Sequence, residues 1–178
     1  MIRNTQETYG SVTKFLHWSV SALVILMLAF SFFLEDVPKH YQPTAFTLHK
    51  STGLLILFLM VFRLVWRFSN TDPSLPQKIP TWQRVGVHVT HYLFYIALFC
   101  MPLTGWIMST AAGRAPFFLG IWELPFPGIA QSEPLAHFFD ALHLQLAWVL
   151  IGLLVLHIAA ALKHHLIDKD NIFKRMWI

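Results

Sequence analysis

The stretch DALHLQLAWVLIGLLVLHIAAALKHHLIDKD, residues 140–170, decides the fold of this chain. Between Ala141 and Leu162 it contains no Asp, Glu, Lys or Arg. Because about 20 apolar residues in an α-helix cross a hydrocarbon core of about 30 Å, this segment is predicted to be a transmembrane helix. It also contains His143 and His157, and polar side chains inside a membrane helix are costly unless they find a partner. The segment therefore indicates both a membrane protein and a site of chemistry.

Three further apolar segments have the length of a membrane span, and they lie at about 15–34, 48–68 and 87–110. The chain is 56% hydrophobic and 12% charged, whereas soluble domains carry about 25% charged residues. The first segment lacks the small-residue cleavage site of a secretory signal, so it is expected to be retained. The sequence thus predicts one all-α integral membrane domain over residues 1–178, a bundle of four helices whose last spans about 141–162.

The distribution of Lys and Arg predicts the orientation of this bundle. Ten of the thirteen fall near the two termini and between the second and third segments, and three fall in the other connections. The first set is Arg3, Lys14, Arg63, Arg67, Lys78, Arg84, Lys163, Lys169, Lys174 and Arg175, and the second is Lys39, Lys50 and Arg114. Since positive residues stay on the cytoplasmic side, both termini are expected there. The pI of about 9.4 then reflects topology and does not indicate nucleic-acid binding.

The spacing of His143 and His157 suggests two sites at different depths. Fourteen residues at 100° each make about 1400°, within about 40° of four full turns, and rise about 21 Å along the helix. Both side chains should therefore lie on nearly the same face, one near each membrane surface. From the predicted helix directions, His17 has the depth of His157 near the cytoplasmic face, and His49 has the depth of His143 near the outer face.

Two imidazoles that face each other at one depth can serve as the two axial ligands of a haem iron. Such an iron has no open position for oxygen and carries single electrons. The residue one turn beyond each of these histidines is small, as a porphyrin lying against a helix would require. Those residues are Ser21, Gly53, Ala147 and Ala161.

A purely structural role, a zinc or copper site and a covalently attached haem all fit these histidines less well. A lone polar residue in a membrane helix often only bonds a neighbouring helix, but four in two depth-matched pairs do not match that pattern. Zinc and copper sites recruit three or four close ligands rather than separated pairs. The single Cys100 excludes an internal disulfide, a C-x-x-C metal site and the C-x-x-C-H signature of covalently attached haem.

At these residues the chain resembles bacterial cytochrome b561, a family related to the cytochrome b subunits of hydrogenases and formate dehydrogenases. The strings that carry the resemblance are KFLHWSV (14–20), LHKSTGLL (48–55), RLVWR (63–67), the quoted stretch 140–170 and FKRM (173–176). The resemblance implies a multi-pass protein of the bacterial inner membrane with two haem b groups, ligated by His17 with His157 and by His49 with His143. It also implies electron exchange with ubiquinone and, in some members, oxidation of superoxide.

Several residues outside the four histidines are candidates for supporting roles. Lys163, His164 and His165 follow the last segment on the cytoplasmic side, where they are either proton donors and quinone contacts or interfacial cations. His91 is a further candidate for lining a quinone pocket. Lys50 and Arg67 are candidate partners of haem propionates, and topological anchoring explains them nearly as well.

Two alternative functions remain open from sequence. The first is a membrane-anchor cytochrome b subunit that takes electrons from a separate dehydrogenase or hydrogenase. The short connection Glu35–Thr47 and the aromatic connection Gly113–Pro134, which is expected to lie on the membrane surface, offer such a partner little docking area. The second is a proton or metal transporter with the histidines as relay or ligands, for which the sequence shows no intramembrane path of carboxylates. The preferred prediction is a quinone-linked dihaem oxidoreductase in contact with lipid, which passes electrons to or from ubiquinone. The resemblance adds superoxide, or another small periplasmic molecule, as a candidate electron donor.

Overall fold

A computed structural model describes residues 1–74 and 79–177, so the predicted cytoplasmic Lys78 lies outside the described residues. Four of its helices are long and apolar enough to cross a membrane. They are α1 (Ser11–Ser31), α2 (Gln42–Phe68), α3 (Thr81–Ala111) and α4 (Glu133–Leu166). A short helix, α5 (Ile172–Met176), follows α4, and a two-stranded antiparallel hairpin, β1 (Phe117–Phe118) with β2 (Trp122–Glu123), joins α3 to α4. The prediction of an all-α, four-helix membrane bundle is confirmed.

Each membrane helix begins four to eight residues before the apolar segment that predicted it. Hydropathy marks only the part of a helix that lies in hydrocarbon, whereas the backbone continues its hydrogen bonds into the interface. Local signals set the actual starts. Pro residues occupy the first turns of α2 and α4, where their missing N–H costs nothing, and the Ser132 side chain caps α4 by accepting from Leu135 N.

The middle of the bundle is filled by an apolar layer contributed by all four membrane helices. Its buried members are Val20, Val24, Leu28, Ile56, Met60, Ala97, Leu98, Leu150 and Leu153. On α4 this layer lies between His143 and His157. Large apolar side chains also cover the outward surface of the helices, as lipid contact requires. The layer therefore divides the interior into two separate polar ends.

Both termini meet at one end of the bundle, called here the terminal end. The Lys14 ammonium donates to Trp177 O at 2.7 Å, and the Trp18 indole N–H donates to Met176 O at 2.8 Å. The Asn4 amide donates to Thr71 O, which ties the N-terminal segment to the residues after α2. The terminal end is therefore closed by three segments that are distant in sequence.

The opposite end, called here the hairpin end, carries the β1–β2 hairpin. The Ser51 hydroxyl donates to Phe117 O at 3.0 Å and accepts from Leu119 N at 3.1 Å, so α2 holds the hairpin through one side chain. The Lys50 ammonium donates to Arg114 O at 2.8 Å, just before the hairpin. These bonds fix the hairpin beside the helix turn that carries His49.

Candidate haem sites

His17 and His157 face each other near the terminal end. Their ring centroids lie 6.2 Å apart, with the ring planes inclined at 65°. A metal–imidazole bond is about 2 Å long and a ring nitrogen lies about 1.1 Å from its centroid, so two imidazoles on one metal have centroids about 6.3 Å apart. The observed centroid spacing matches that value.

His49 and His143 form a second pair near the hairpin end. Their ring centroids lie 6.4 Å apart with an interplanar angle of 69°. The two pairs match in distance and angle although they are built from different helices. Along α4 they are separated by fourteen residues, or a rise of about 21 Å. The structure thus brings together both pairs that the sequence suggested.

The orientation of His143 is set by hydrogen bonds on its far side. Its Nδ1 lies 2.9 Å from Met101 O and 3.1 Å from the Thr104 hydroxyl, which itself donates to Met101 O. A carbonyl only accepts, so Nδ1 must carry the proton and Nε2 keeps a free lone pair. Metal-binding histidines commonly have this arrangement, since the second bond fixes the tautomer and makes the ring a stronger ligand.

A glycine in α3 gives the His143 ring its place. A Cβ added at Gly105 would lie 2.9 Å from His143 Cε1 and 3.2 Å from Nδ1, closer than side chains approach without displacement. The structure shows that Gly105 allows the imidazole to approach the α3 backbone and reach the carbonyl of Met101.

The His49 ring has a buried nitrogen without a hydrogen-bond partner among the described residues. Its Nδ1 is the one buried side-chain nitrogen or oxygen without a hydrogen-bond partner across residues 1–74 and 79–177. Such an atom costs about 1–3 kcal/mol. An imidazole in this condition, 6.4 Å from another imidazole, fits a metal-bound cofactor better than it fits a purely structural role.

A third histidine lies beside the His17/His157 pair. The His91 ring centroid is 6.2 Å from that of His157, with the planes inclined at 54°, and the Phe94 ring centroid lies 5.4 Å from that of His157. His157 therefore has two imidazoles at a spacing suitable for one metal. His17 and His91 share the depth of His157, and the sequence favours His17 because the small Ser21 lies one turn beyond it, whereas the bulky Tyr95 lies one turn beyond His91. His91 is then a neighbour available to a second molecule at the same end.

Arg63 is the residue that sequence reasoning missed at this site. One guanidinium nitrogen lies 3.3 Å from His17 Nδ1, and the guanidinium carbon lies 5.9 Å from the Tyr95 ring centroid. In sequence Arg63 counted only as a topological charge. Its spacing of four residues from Arg67, which places both on one face of α2, was the available signal.

The two predicted propionate partners have other partners here. Lys50 donates to Arg114 O, and Arg67 forms an ion pair with Asp72 at 2.7 Å while its guanidinium carbon lies 5.5 Å from the Tyr95 ring centroid. These contacts occupy at least one donor of each cation. Their role toward a propionate stays a prediction.

The predicted proton-transfer residues lie at the terminal end of α4. His164 is 8% exposed, and its Nδ1 lies 2.6 Å from Asp170 Oδ2 and 3.2 Å from Asp168 Oδ2. The Lys163 ammonium lies 2.5 Å from the same Asp168 oxygen. His165 is exposed and lines a surface cavity of about 350 Å³ together with Leu166, Lys169, Asp170 and Lys174. The three side chains that the sequence grouped therefore divide into a buried, carboxylate-bound His164 and an exposed His165.

The model of the prokaryotic cytochrome b561 family matches residues 8–178 of this chain. The chain belongs to this family. It is 35% identical over 176 residues to cytochrome b561 homolog 2 of Escherichia coli, covering 97% of this chain and 93% of that protein. It is 28% identical to cytochrome b561 homolog 1 of the same organism, covering 94% and 96%. It is 32% identical to the probable superoxide oxidase CybB of Yersinia pestis, covering 96% of each chain.

Membership confirms the resemblance seen in the sequence and the coarse part of the predicted function. This cytochrome b561 is a multi-pass protein of the bacterial inner membrane that binds haem b and takes part in electron transfer. The His17/His157 and His49/His143 pairs have the centroid spacing of two imidazoles bound to one metal.

Proposed function

We propose that this cytochrome b561 transfers electrons across the membrane through two haem b groups, one held by His17 and His157 and the other by His49 and His143. The observation that carries the proposal is the pair of ring-centroid distances, 6.2 and 6.4 Å, one at each end of the bundle. Each haem supplies reversible one-electron chemistry with both axial positions filled. A protein of this kind is an oxidoreductase that links a donor at one face to an acceptor at the other.

The chain's own residues account for how the sites are held. His143 is fixed as an Nε2 ligand by its bond to Met101 O, and Gly105 leaves room for it. The apolar layer between the ends keeps water and protons out of the middle of the bundle. Electrons can cross such a layer over short distances, whereas ions cannot, so the arrangement favours electron transfer over transport.

We propose that ubiquinone reacts at the terminal end, which positive residues predict to be cytoplasmic. Reduction of a quinone consumes two electrons and two protons, so the site needs a proton donor. His164 is held between Asp168 and Asp170 and reaches water through them, while Lys163 and His165 lie at its side. In this proposal His164 delivers protons, and Lys163 and His165 contact the quinone head group.

Superoxide is the proposed donor at the hairpin end, by similarity to the probable superoxide oxidase of Yersinia pestis. Two superoxide ions would each give up one electron and leave as oxygen, and the two electrons with two protons would convert one quinone to quinol. Lys50 and Arg114 supply positive charge near that end, which would attract an anion.

The test uses the purified protein in liposomes that contain ubiquinone, with superoxide generated outside. We expect quinol to form with the wild-type protein and to be lost in His49→Ala and in His17→Ala, since both sites are needed in series. His40→Ala is the matched control, because His40 is exposed in the connection between α1 and α2 and its ring packs against that of Tyr41. Quinol formation that persists in both site variants contradicts the proposed path.

His164→Gln separates proton delivery from haem binding. We expect this variant to keep its haems and its reduction by dithionite, and to lose quinol formation at least tenfold. His165→Gln, exposed and one residue away, should lose less. Equal activity of His164→Gln and the wild-type protein would refute the role given to His164.

A further inference from the structure

The two histidine pairs have opposite electrostatic surroundings. At the His49/His143 site the far nitrogen of one ligand faces a carbonyl oxygen, whereas at the His17/His157 site it faces a guanidinium. Haem potentials respond to axial ligand basicity, nearby charge and burial. Two sites with equal ligands can therefore differ in potential only through such surroundings.

At the hairpin end the surroundings favour oxidised iron. His143 Nδ1 donates to Met101 O, an acceptor that the Thr104 hydroxyl also bonds. This bond pushes electron density into the imidazole and makes it a stronger donor to the metal. Thr104 is 5% exposed, so water does not compete for these bonds.

At the terminal end the surroundings favour reduced iron. The Arg63 guanidinium lies 3.3 Å from His17 Nδ1. A His17 that binds iron through Nε2 carries its proton on Nδ1, so in the haem-bound site Arg63 acts on this ligand through its charge and not by donating a hydrogen bond. No ion pair joins Arg63 to a carboxylate in the part of the chain that the structure describes. Its neighbour Arg67 is neutralised by Asp72 at 2.7 Å, and the Tyr95 ring centroid lies between 5 and 6 Å from both guanidinium carbons. The Arg63 guanidinium is therefore not balanced by a carboxylate among residues 1–74 and 79–177.

The cation of the other site does not offset this difference. Lys50 follows His49 in sequence and is half-buried, but the hydrogen bond that its ammonium donates to Arg114 O is exposed. Charge in contact with solvent is screened over about 10 Å at ordinary ionic strength, and partly buried charge is screened much less. Arg63 is partly buried among Tyr95 and His17, so its field acts on the neighbouring site with less loss.

We infer that Arg63 raises the reduction potential of the haem at the His17/His157 site above that of the haem at the His49/His143 site. The inference rests on the proposed function, since it requires a haem at each pair. Reduction adds one negative charge to a site, and an uncompensated guanidinium stabilises that charge. The consequence is directional: at equilibrium the electron resides at the terminal end, beside the proposed quinone site. Arg63 acts through its positive charge and does not itself accept an electron.

The test is a potentiometric titration of the purified dihaem protein, followed by visible absorbance in the absence of quinone. His17→Ala and His49→Ala identify which spectral component belongs to which site. We expect the component missing from His17→Ala to be the higher-potential one in the wild-type protein. Arg63→Gln should lower the equilibrium constant for its reduction about tenfold, which is about 59 mV for one electron, and leave the other component in place.

Matched variants separate the charge from the packing. Arg63→Lys keeps a positive charge and should retain most of the potential, while the double variant Arg67→Gln/Asp72→Asn, which removes an ion pair without changing the net charge, should shift it by less than half as much. An unchanged potential in Arg63→Gln, or an equal shift in Arg67→Gln/Asp72→Asn, overturns the inference. If Arg63→Gln binds no haem, the inference is still tested by which haem of the wild-type protein has the higher reduction potential. A higher potential at the His49/His143 site overturns the inference. A protein with one haem or none would instead refute the proposed function.

Discussion

The prediction that depends most closely on the structure concerns Gly105, where a single methyl group should remove one haem and spare the other. In Gly105→Ala the new Cβ would lie 2.9 Å from His143 Cε1, whereas ordinary contacts begin near 3.4 Å. The ring must therefore retreat by about 0.5 Å. The movement lengthens the bond from His143 Nδ1 to Met101 O, which is now 2.9 Å.

The expected magnitude follows from two costs. Inserting a methylene-sized group into a packed interior costs about 1–3 kcal/mol, and loss of a hydrogen bond that orients a metal ligand reduces metal affinity about 10–100-fold. We therefore expect the His49/His143 haem to bind about 10–100-fold more weakly in Gly105→Ala. The His17/His157 haem, on the far side of the apolar layer, should be retained.

The assay is haem per chain by pyridine haemochrome, together with the reduced-minus-oxidised spectrum, for protein purified from haem-replete cells. Gly152→Ala is the matched control, because it is also a helix glycine and its added Cβ would meet nothing within 4 Å. We expect Gly152→Ala to resemble the wild-type protein. Two haems with unaltered spectra in Gly105→Ala would show that the approach of His143 to α3 is not needed, and would refute this reasoning.

Three further predictions follow from other contacts. His91→Ala should keep both haems if His17 is the partner of His157, and loss of one haem on the pyridine haemochrome count would make His91 the ligand. Thr104→Val removes a hydrogen-bond donor to Met101 O, so it should lower the free energy of unfolding by about 1 kcal/mol, measured as a lower Tm, and keep two haems. Loss of a haem would show that the Thr104 hydroxyl is needed to hold His143 as a ligand. Burial, and next the nearby Asp72, raise the pKa of Tyr9 above its usual 10.0, so above that pH the folded state holds a proton that the unfolded chain has lost. Stability should therefore fall more steeply between about pH 9 and 11 in the wild-type protein than in Tyr9→Phe, as measured by chemical unfolding, and parallel curves would contradict that origin.

Much of the fold could be predicted from sequence because the membrane leaves few choices. A run such as Ala141–Leu162 has no charged residue, and in lipid its backbone can be satisfied only within a helix. The ends of the helices could not be predicted in the same way, because polar residues continue a helix beyond the hydrocarbon. Thus α4 begins at Glu133, where Ser132 and Pro134 provide a cap and a first turn. The β1–β2 hairpin was also missed, since its two-residue strands are too short to produce an alternating pattern.

The candidate site, like the fold, could be predicted from sequence only in part. Spacing along α4 and helix direction were enough to pair the four histidines by depth, because these depend only on helix geometry. The surroundings of each ring depend on how α2 and α3 rotate against α1 and α4, and no periodicity in one sequence fixes that rotation. The contacts of Arg63 with His17 and of Met101 O with His143 became visible only in the packed structure. Those contacts are what distinguish the two sites.

The most direct test of the central claim is the number of haems lost with each histidine pair. We expect two b haems per chain in the wild-type protein and one in each of His17→Ala, His157→Ala, His49→Ala and His143→Ala. The first two variants should share one remaining spectrum and the last two should share the other. A wild-type protein with fewer than two haems, or variants of one pair that leave different spectra, would contradict the account.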